Sequence, residues 1–297
     1  MRNTLIAVLL LGFALLAQAQ GNERIAAFDQ TDELATFSKL VTPKLGSSIA
    51  MIFDEQSQRP LLSKNADTVV PIASITKLMT AMVVLDARLP LDELITITSH
   101  DRDHFKGTRS RMRNGMAVSR GDLLKLALMA SENTAAAALA RTYPGGTEVM
   151  LSKMNAKARE LGMTSTYFED PTGLRSTNVS TAQDLVRMVR AASTYDAIQR
   201  HTTTSSHSVK VSSRHTLRFN NTNPLVRNAA WDIGLSKTGY ISEAGRCLVM
   251  QAKISNRPVV IVLLDSWGKR TRVGDANRIK RWMEGSNTRP LRQSRRG

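Results

Sequence analysis

Val70-Pro71-Ile72-Ala73-Ser74-Ile75-Thr76-Lys77-Leu78-Met79-Thr80-Ala81-Met82-Val83-Val84-Leu85-Asp86-Ala87 is the stretch around which the chain is organised. From Leu78 to Leu85 every residue except Thr80 is apolar, which predicts a helix buried on all sides. Pro71 stands shortly before it, where a helix can begin. Residues three apart share a helix face, so the Ser74 hydroxyl and the Lys77 amine can meet. A hydroxyl needs an adjacent base to become a nucleophile, and a desolvated lysine can act as one. The helix N-terminus adds backbone N–H groups and the positive end of a dipole, which favour a developing oxyanion. The pattern fits serine acyl transfer. Taken alone, however, the quartet reads rather as a helix N-cap, and a second Ser-x-x-Lys occurs at Ser266-Trp267-Gly268-Lys269.

With 297 residues the chain can bury a substantial core as one large domain or two small ones. Its 42% hydrophobic and 22% charged residues are ordinary for a globular protein, but the net charge of +16 is not. That charge calls for a polyanionic partner: nucleic acid, an anionic membrane surface or a carboxylate-rich polymer. Arg2, the apolar run Leu5 to Leu16 and the small-x-small Ala17-Gln18-Ala19 form a secretory signal peptide (1–19), with cleavage expected after Ala19. Export argues against a nucleic-acid partner. No later apolar run reaches the roughly 18 residues a spanning helix needs, so the mature chain is expected to carry no transmembrane anchor. Cys247, the only cysteine, lies in a strand-like run and reads as a small buried hydrophobe with no disulfide. The histidines His100, His104, His201, His207 and His215 show no ligand spacing, so neither a metal nor another cofactor is expected.

After the signal, 20–44 is a polar leader and 45–285 the main domain. Ser47 to Phe53 and Arg59 to Leu62 read as a β-hairpin around the polar loop 54–58. Helices are predicted at 120–130, 134–141, 149–161 (closed by Gly162) and from the capped start Ser180-Thr181-Ala182-Gln183-Asp184 to Ala192. His201 to Asn221 reads as a Ser/Thr/His-rich surface ribbon. Strands follow at 233–240, 246–254 and 259–264, and a closing helix at 273–284. The tail 286–297, with Arg289, Arg292, Arg295 and Arg296, reads as disordered. Strands at both ends with helices between them predict an α/β (α+β) architecture. A single sheet would be closed by the two chain ends, with a helical subdomain inserted at about 90–220.

Two further motifs can converge on Ser74. Ser131-Glu132-Asn133 falls in the break between two apolar helices, where a loop can present a hydroxyl and an amide. Lys237-Thr238-Gly239 lies on a predicted strand, whose alternation sends Lys237 and Gly239 to one face and Thr238 to the other. Ser176-Thr177-Asn178 also fits Ser-x-Asn but sits in a loop outside the helical pair. Ser266 follows the Lys-Thr-Gly strand and precedes no buried helix. Ser-x-x-Lys, Ser-x-Asn and Lys-Thr-Gly, in that order on helix, loop and strand, are the motif set of penicillin-binding proteins and class A β-lactamases.

On these motifs the chain resembles the low-molecular-mass penicillin-binding proteins of the D-alanyl-D-alanine peptidase group, and most of all their endopeptidases. The likeness runs from about 47 to 284 and includes Pro71-Ile72-Ala73-Ser74, 78–90, 126–133 and Pro171-Thr172-Gly173-Leu174. It implies a β-lactamase/transpeptidase-like fold, an antiparallel sheet flanked by helices with an inserted all-helical subdomain. It also implies roles. Ser74 is the acylated nucleophile and Lys77 its general base, and Ser131 relays a proton to the leaving amine. Asn133 holds the substrate backbone, Lys237 and Thr238 bind a substrate carboxylate, and the N–H groups of Ser74 and Tyr240 form the oxyanion hole. Gly239 completes that strand. Arg272 reads either as a second carboxylate contact or as a surface arginine. From the residues themselves, two lysines facing one pocket repel, which lowers the proton affinity of the more buried one and suits Lys77 as a base.

The expected substrates are peptidoglycan peptides in the periplasm, with β-lactams as covalent inhibitors. The loop Glu169-Asp170-Pro171-Thr172-Gly173 has glycine where a class A β-lactamase has asparagine, which argues against that activity. Carboxypeptidase relatives carry an extra β-rich domain and an amphipathic anchor, whereas here a basic tail soon follows the closing helix. The endopeptidase reading is therefore preferred. A D-alanyl-D-alanine carboxypeptidase or an inactive wall-binding protein are the alternatives.

Overall fold

The computed structural model describes residues 42–212 and 215–287. The signal peptide, the leader up to residue 41 and the tail beyond residue 287 lie outside the described residues. Residues 43–281 form one unit. A second unit pairs 1–42 with 282–297; its described part is Thr42 and the end of the closing helix.

The elements run β1 (Ser47–Asp54), β2 (Arg59–Lys64), β3 (Val70–Pro71), a 3-10 turn at Ala73–Thr76 and α1 (Lys77–Asp86). Next come β4 (Leu94–Thr96), β5 (Ala117–Ser119), α2 (Arg120–Met129), α3 (Asn133–Arg141) and α4 (Gly146–Glu160). β6 (Val179–Ser180), α5 (Ala182–Ala192), α6 (Asp196–Thr203) and the hairpin β7 (Ser206–Ser212) and β8 (His215–Asn220) follow. The chain returns through β9 (Asp232–Ile241), β10 (Gly245–Ile254) and β11 (Arg257–Ser266) to α7 (Thr271–Asn287).

The apolar run Val259 to Leu264 is wholly inaccessible. A strand covered on both faces reads as a continuous apolar run rather than as alternation, and β11 accordingly lies mid-sheet. The sheet is five-stranded, in the order β2-β1-β11-β10-β9, and each neighbouring pair is antiparallel. The two chain ends meet as expected, with β1 against β11 from Ser47↔Ser266 to Asp54↔Val259. α5 packs on β1, β10 and β11. Its start is capped as the sequence indicates, Thr181 Oγ1 accepting the Asp184 N–H at 3.1 Å. The second Ser-x-x-Lys is structural: buried Ser266 hydrogen-bonds Ser47 (2.7 Å), whose hydroxyl donates to Asp275 of α7 (2.6 Å). Ser266 thereby ties three elements together and is unavailable as a nucleophile.

The stretch 90–220 is not all-helical as expected: α2, α3 and α4 pack around α1, but two-stranded sheets stand among the helices. It also holds elements the sequence reading passed over: the short pair β4/β5, the strand β6 that pairs with β3, and α6. The surface ribbon is the hairpin β7/β8, and it starts later than expected because His201 belongs to α6. These elements are three residues or fewer, or have few apolar positions, so periodicity leaves them nearly silent. α1 is buried all round, as its composition requires. The β9 edge of the sheet faces the 3-10 turn before α1. The three motifs meet there.

Candidate active site

Ser74 stands on the 3-10 turn, one turn before α1 proper. The expected helix face is therefore supplied by 3-10 geometry, in which residues three apart eclipse. Ala73 holds a left-handed φ of 48°, and Gly239 on β9 makes room for this turn. A Cβ at Gly239 would lie 2.9 Å from the Ile72 carbonyl and 3.1 Å from Ser74 N. The glycine of Lys-Thr-Gly is thus what lets the edge strand lie against the Ser74 turn.

Lys77 Nζ lies 2.8 Å from Ser74 Oγ, 2.8 Å from Asn133 Oδ1 and 2.6 Å from the Thr172 carbonyl. The side chain is completely buried. Burial lowers its pKa from 10.5 to about 7, against the opposing fields of Asp170 and Glu132. At neutral pH a large fraction of the amine therefore carries a lone pair, and the Ser74 hydroxyl can donate to it. The expected cause needs correction: desolvation, and not repulsion between the two lysines, dominates at Lys77. Repulsion acts instead on Lys237, whose pKa burial pushes well down and Lys77 and Arg272 push further.

A second Ser–Lys pair faces the first. Lys237 Nζ donates to Ser131 Oγ (2.9 Å) and to the Thr238 carbonyl (2.9 Å). Ser131 sits in the break between α2 and α3 at φ 59°, a conformation that costs a non-glycine residue energy and is found where function holds it. Asn133 opens α3, accepts from Lys77 through Oδ1 and donates from Nδ2 to Thr108 Oγ1 at 2.9 Å. Lys237 and Gly239 share one face of β9, as alternation predicts. Thr238 takes the other and donates to Thr222 Oγ1 at 2.7 Å. Tyr240 is exposed, with the Arg246 guanidinium 4.3 Å above its ring. The Thr238 carbonyl receives Lys237 and so points away from β10. Residue 240, two positions on, shares that outer edge. Arg272 is not a surface arginine: it is half-buried, and its Nη1 is buried without a hydrogen-bond partner. Direct contacts join Ser74, Lys77 and Asn133, and separately Ser131 and Lys237; Gly239 packs on the Ser74 turn, Thr238 turns to Thr222, and Arg272 acts electrostatically on Lys237.

The sequence reading missed the support beneath. Asp170 accepts the N–H groups of Thr172 (2.6 Å), Gly173 (2.7 Å) and Arg175 (2.8 Å), which fixes the loop that delivers the Thr172 carbonyl to Lys77. Asn178, set aside with Ser176-Thr177-Asn178, is completely buried and clamps this loop to the nucleophile turn. Its Nδ2 donates to Thr76 Oγ1 (3.0 Å) and the Asp170 carbonyl (2.7 Å), and its Oδ1 accepts the Glu169 N–H (2.9 Å). Thr80 of α1 donates to the Pro171 carbonyl at 2.7 Å. Asp-Pro-Thr-Gly is a turn signal that could have pointed here. Glu169 itself pairs with Arg175 (3.0 Å) and Thr177.

Gly173 has φ 79°, and a Cβ there would overlap the Ala73 carbonyl and come within 2.9 Å of Ser74 N. We expect Gly173→Ala to lower stability by about 2–4 kcal/mol and to slow acylation, read by thermal melting alongside acylation rate. An unchanged melting temperature with unchanged acylation would contradict this packing.

Among the described residues no three His, Cys, Asp or Glu side chains gather where a metal could be held. The arrangement contains a hydroxyl beside a near-neutral amine, a second hydroxyl beside a second amine, the Asn133 amide and a guanidinium whose buried Nη1 has no partner. That set is sufficient for acyl transfer without a cofactor.

Residues 36–268 match the Peptidase S11 family, described as D-alanyl-D-alanine carboxypeptidase. The chain belongs to this family. It is 50% identical over 244 residues to a D-alanyl-D-alanine endopeptidase of Pseudomonas aeruginosa, covering 81% of this chain and 78% of that protein. It is 47% identical over 250 residues to a D-alanyl-D-alanine endopeptidase of Escherichia coli, covering 84% and 81%. Its fold matches the Streptomyces K15 DD-transpeptidase with a TM-score of 0.77 at 27% identity, over 83% of this chain and 100% of that one. The expected β-lactamase/transpeptidase-like architecture is borne out by that likeness, and the resemblance on the three motifs by the family match.

Proposed function

We propose that this chain is an exported serine D-alanyl-D-alanine endopeptidase that opens peptide cross-links of peptidoglycan, such as D-alanyl-meso-diaminopimelate, through an acyl-enzyme on Ser74. The observation that carries the reading is the buried Lys77 amine, with its pKa near 7, held 2.8 Å from Ser74 Oγ. Neutral Lys77 takes the Ser74 proton as Oγ attacks the D-alanyl carbonyl. The oxyanion is received by the N–H groups of Ser74 and Tyr240. As the C–N bond breaks, Ser131, backed by Lys237, relays the proton held by Lys77 to the leaving amine, which leaves Lys77 neutral again. Water then hydrolyses the Oγ ester with Lys77 again as base. Asn133 aligns the donor backbone, and Lys237, Thr238 and Arg272 draw the carboxylate beside the scissile bond. A β-lactam follows the same first step and remains attached to Ser74.

The endopeptidase assignment draws on two extensively aligned relatives that carry that name, and the family description keeps carboxypeptidase work as the second reading. The signal-like residues 1–19 and the cell-wall relatives support the periplasm. Among the described residues no helix is long and apolar enough to cross a membrane. The test is intact-mass analysis after incubation with penicillin, followed by digestion of dimeric cross-linked muropeptide. A stable adduct with conversion of dimer to monomer is expected. An adduct with release of terminal D-alanine but no dimer cleavage would make the chain a carboxypeptidase. Rapid release of hydrolysed penicillin would make it a β-lactamase, and no adduct a wall-binding protein.

A further inference from the structure

We propose that residues 103–108 form a strap over the acyl-donor end of the cleft, fastened by Lys106 to Glu243, and that a stem peptide still attached to its glycan strand enters only when this fastening opens. The proposal rests on the orientation given above.

Three contacts tie the strap to three different walls of the cleft. Lys106 Nζ pairs with Glu243 in the turn between β9 and β10. The Arg175 guanidinium lies 4.2 Å over the ring of Phe105, joining the strap to the loop that serves Lys77. Thr108 Oγ1 accepts the Asn133 amide at 2.9 Å. The strap is shaped from within by Asp103, whose carboxylate accepts the N–H groups of Phe105 (2.8 Å), Lys106 (2.9 Å) and Thr108 (2.8 Å). Gly107 at its tip has φ 63° with open space around it, so the chain there can move without a clash. Nothing in the acylation chemistry requires any of these contacts except that of Asn133.

The direction of the substrate places the strap. With the leaving-side carboxylate at Lys237 and Thr238 and the oxyanion at Tyr240, the donor peptide continues along β9 toward 242–244. The Lys106–Glu243 pair stands at the turn where β9, and with it that path, ends. A cavity of about 300 Å³ lies between the strap and the loop 169–175, lined in part by Asp103, Phe105, Asn133, Glu169, Thr172 and Arg175. A penicillin side chain or a free-ended muropeptide can thread into it. A stem peptide joined to a polymer at its far end cannot thread, and has to be laid in from above.

The pair is partly exposed, with side-chain accessibilities of 31% and 41%. An ion pair of that kind is weak and screened by salt, so it acts as a latch rather than a wall. Hydrogen bonds from Lys106 and Ser242 lower the Glu243 pKa to about 2, which keeps the latch charged at working pH. When only the open form takes a substrate, its apparent affinity scales with the open fraction.

Lys106→Ala and Glu243→Ala are therefore expected to raise cross-link cleavage in intact sacculi about two- to five-fold. Penicillin acylation should stay at the wild-type rate, and soluble dimer cleavage should change by less than the sacculus rate. The exchanged pair Lys106→Glu with Glu243→Lys should return sacculus cleavage to the wild-type value. Unchanged or slower sacculus cleavage in the single variants would overturn the proposal. So would an equal gain on penicillin, or an exchanged pair that behaves like the single variants. Failure of the wild type to acylate with penicillin would strike instead at the reading of Ser74, so the two failures are distinguishable.

Discussion

Ser74→Ala abolishes the penicillin adduct and dimer cleavage together, while the protein keeps its fold. Every covalent step proposed above begins at Oγ. Ser266 is buried against Ser47, and Ser131 is assigned the proton relay, so the adduct is expected at Ser74 alone. A nucleophile removed from a preorganised site lowers turnover by on the order of 10⁴-fold or more. Stability should change by less than about 1 kcal/mol, because Lys77 keeps its contacts with Asn133 and Thr172. Intact mass and a thermal melt report both. A variant that still gains the mass of penicillin would remove Ser74 from its role.

Lys77→Ala slows acylation by about 10²- to 10⁴-fold, the usual contribution of a positioned base. It also leaves Asn133 Oδ1 and the Thr172 carbonyl without their buried partner, so stability should fall by about 1–3 kcal/mol. The two effects separate in the pH profile of the native enzyme. Below about pH 7 Lys77 carries its proton, has no lone pair to offer Ser74, and the acylation rate drops about tenfold per pH unit; above about 7 the rate levels off. Glu132→Gln removes a carboxylate that raises this pKa, so the rising limb should move to lower pH. A limb that stays in place, or near-normal acylation by the alanine variant, would exclude Lys77 as the titrating base.

The sequence by itself was enough for whatever is local. The apolar run from Leu78 to Leu85 required a helix buried on every side, and the run from Val259 to Leu264 read as a strand. The three-residue spacing of Ser74 and Lys77 allowed their contact whether the turn was α or 3-10. Thr181 three residues before Asp184 placed a helix start correctly, because a cap is satisfied within one turn of chain. The order of the three motifs then indicated the family, which the matched residues 36–268 bear out.

Only the tertiary structure decided what depends on residues far apart in sequence. Asn178 meets Thr76 across 102 positions, and the Thr172 carbonyl meets Lys77 across 95. Periodicity reports which face a residue takes, and carries nothing about such partners. The same holds for charge. Two lysines near one pocket read as mutual repulsion, yet the Lys77 pKa is set first by burial, which exists only once the helices close over it. Arg272 and Ser266 each allowed two readings as isolated letters. A buried, unpartnered Nη1 removes the surface reading of Arg272, and the bond to Ser47 gives Ser266 a structural place, because desolvation and hydrogen-bond satisfaction are properties of the packed molecule.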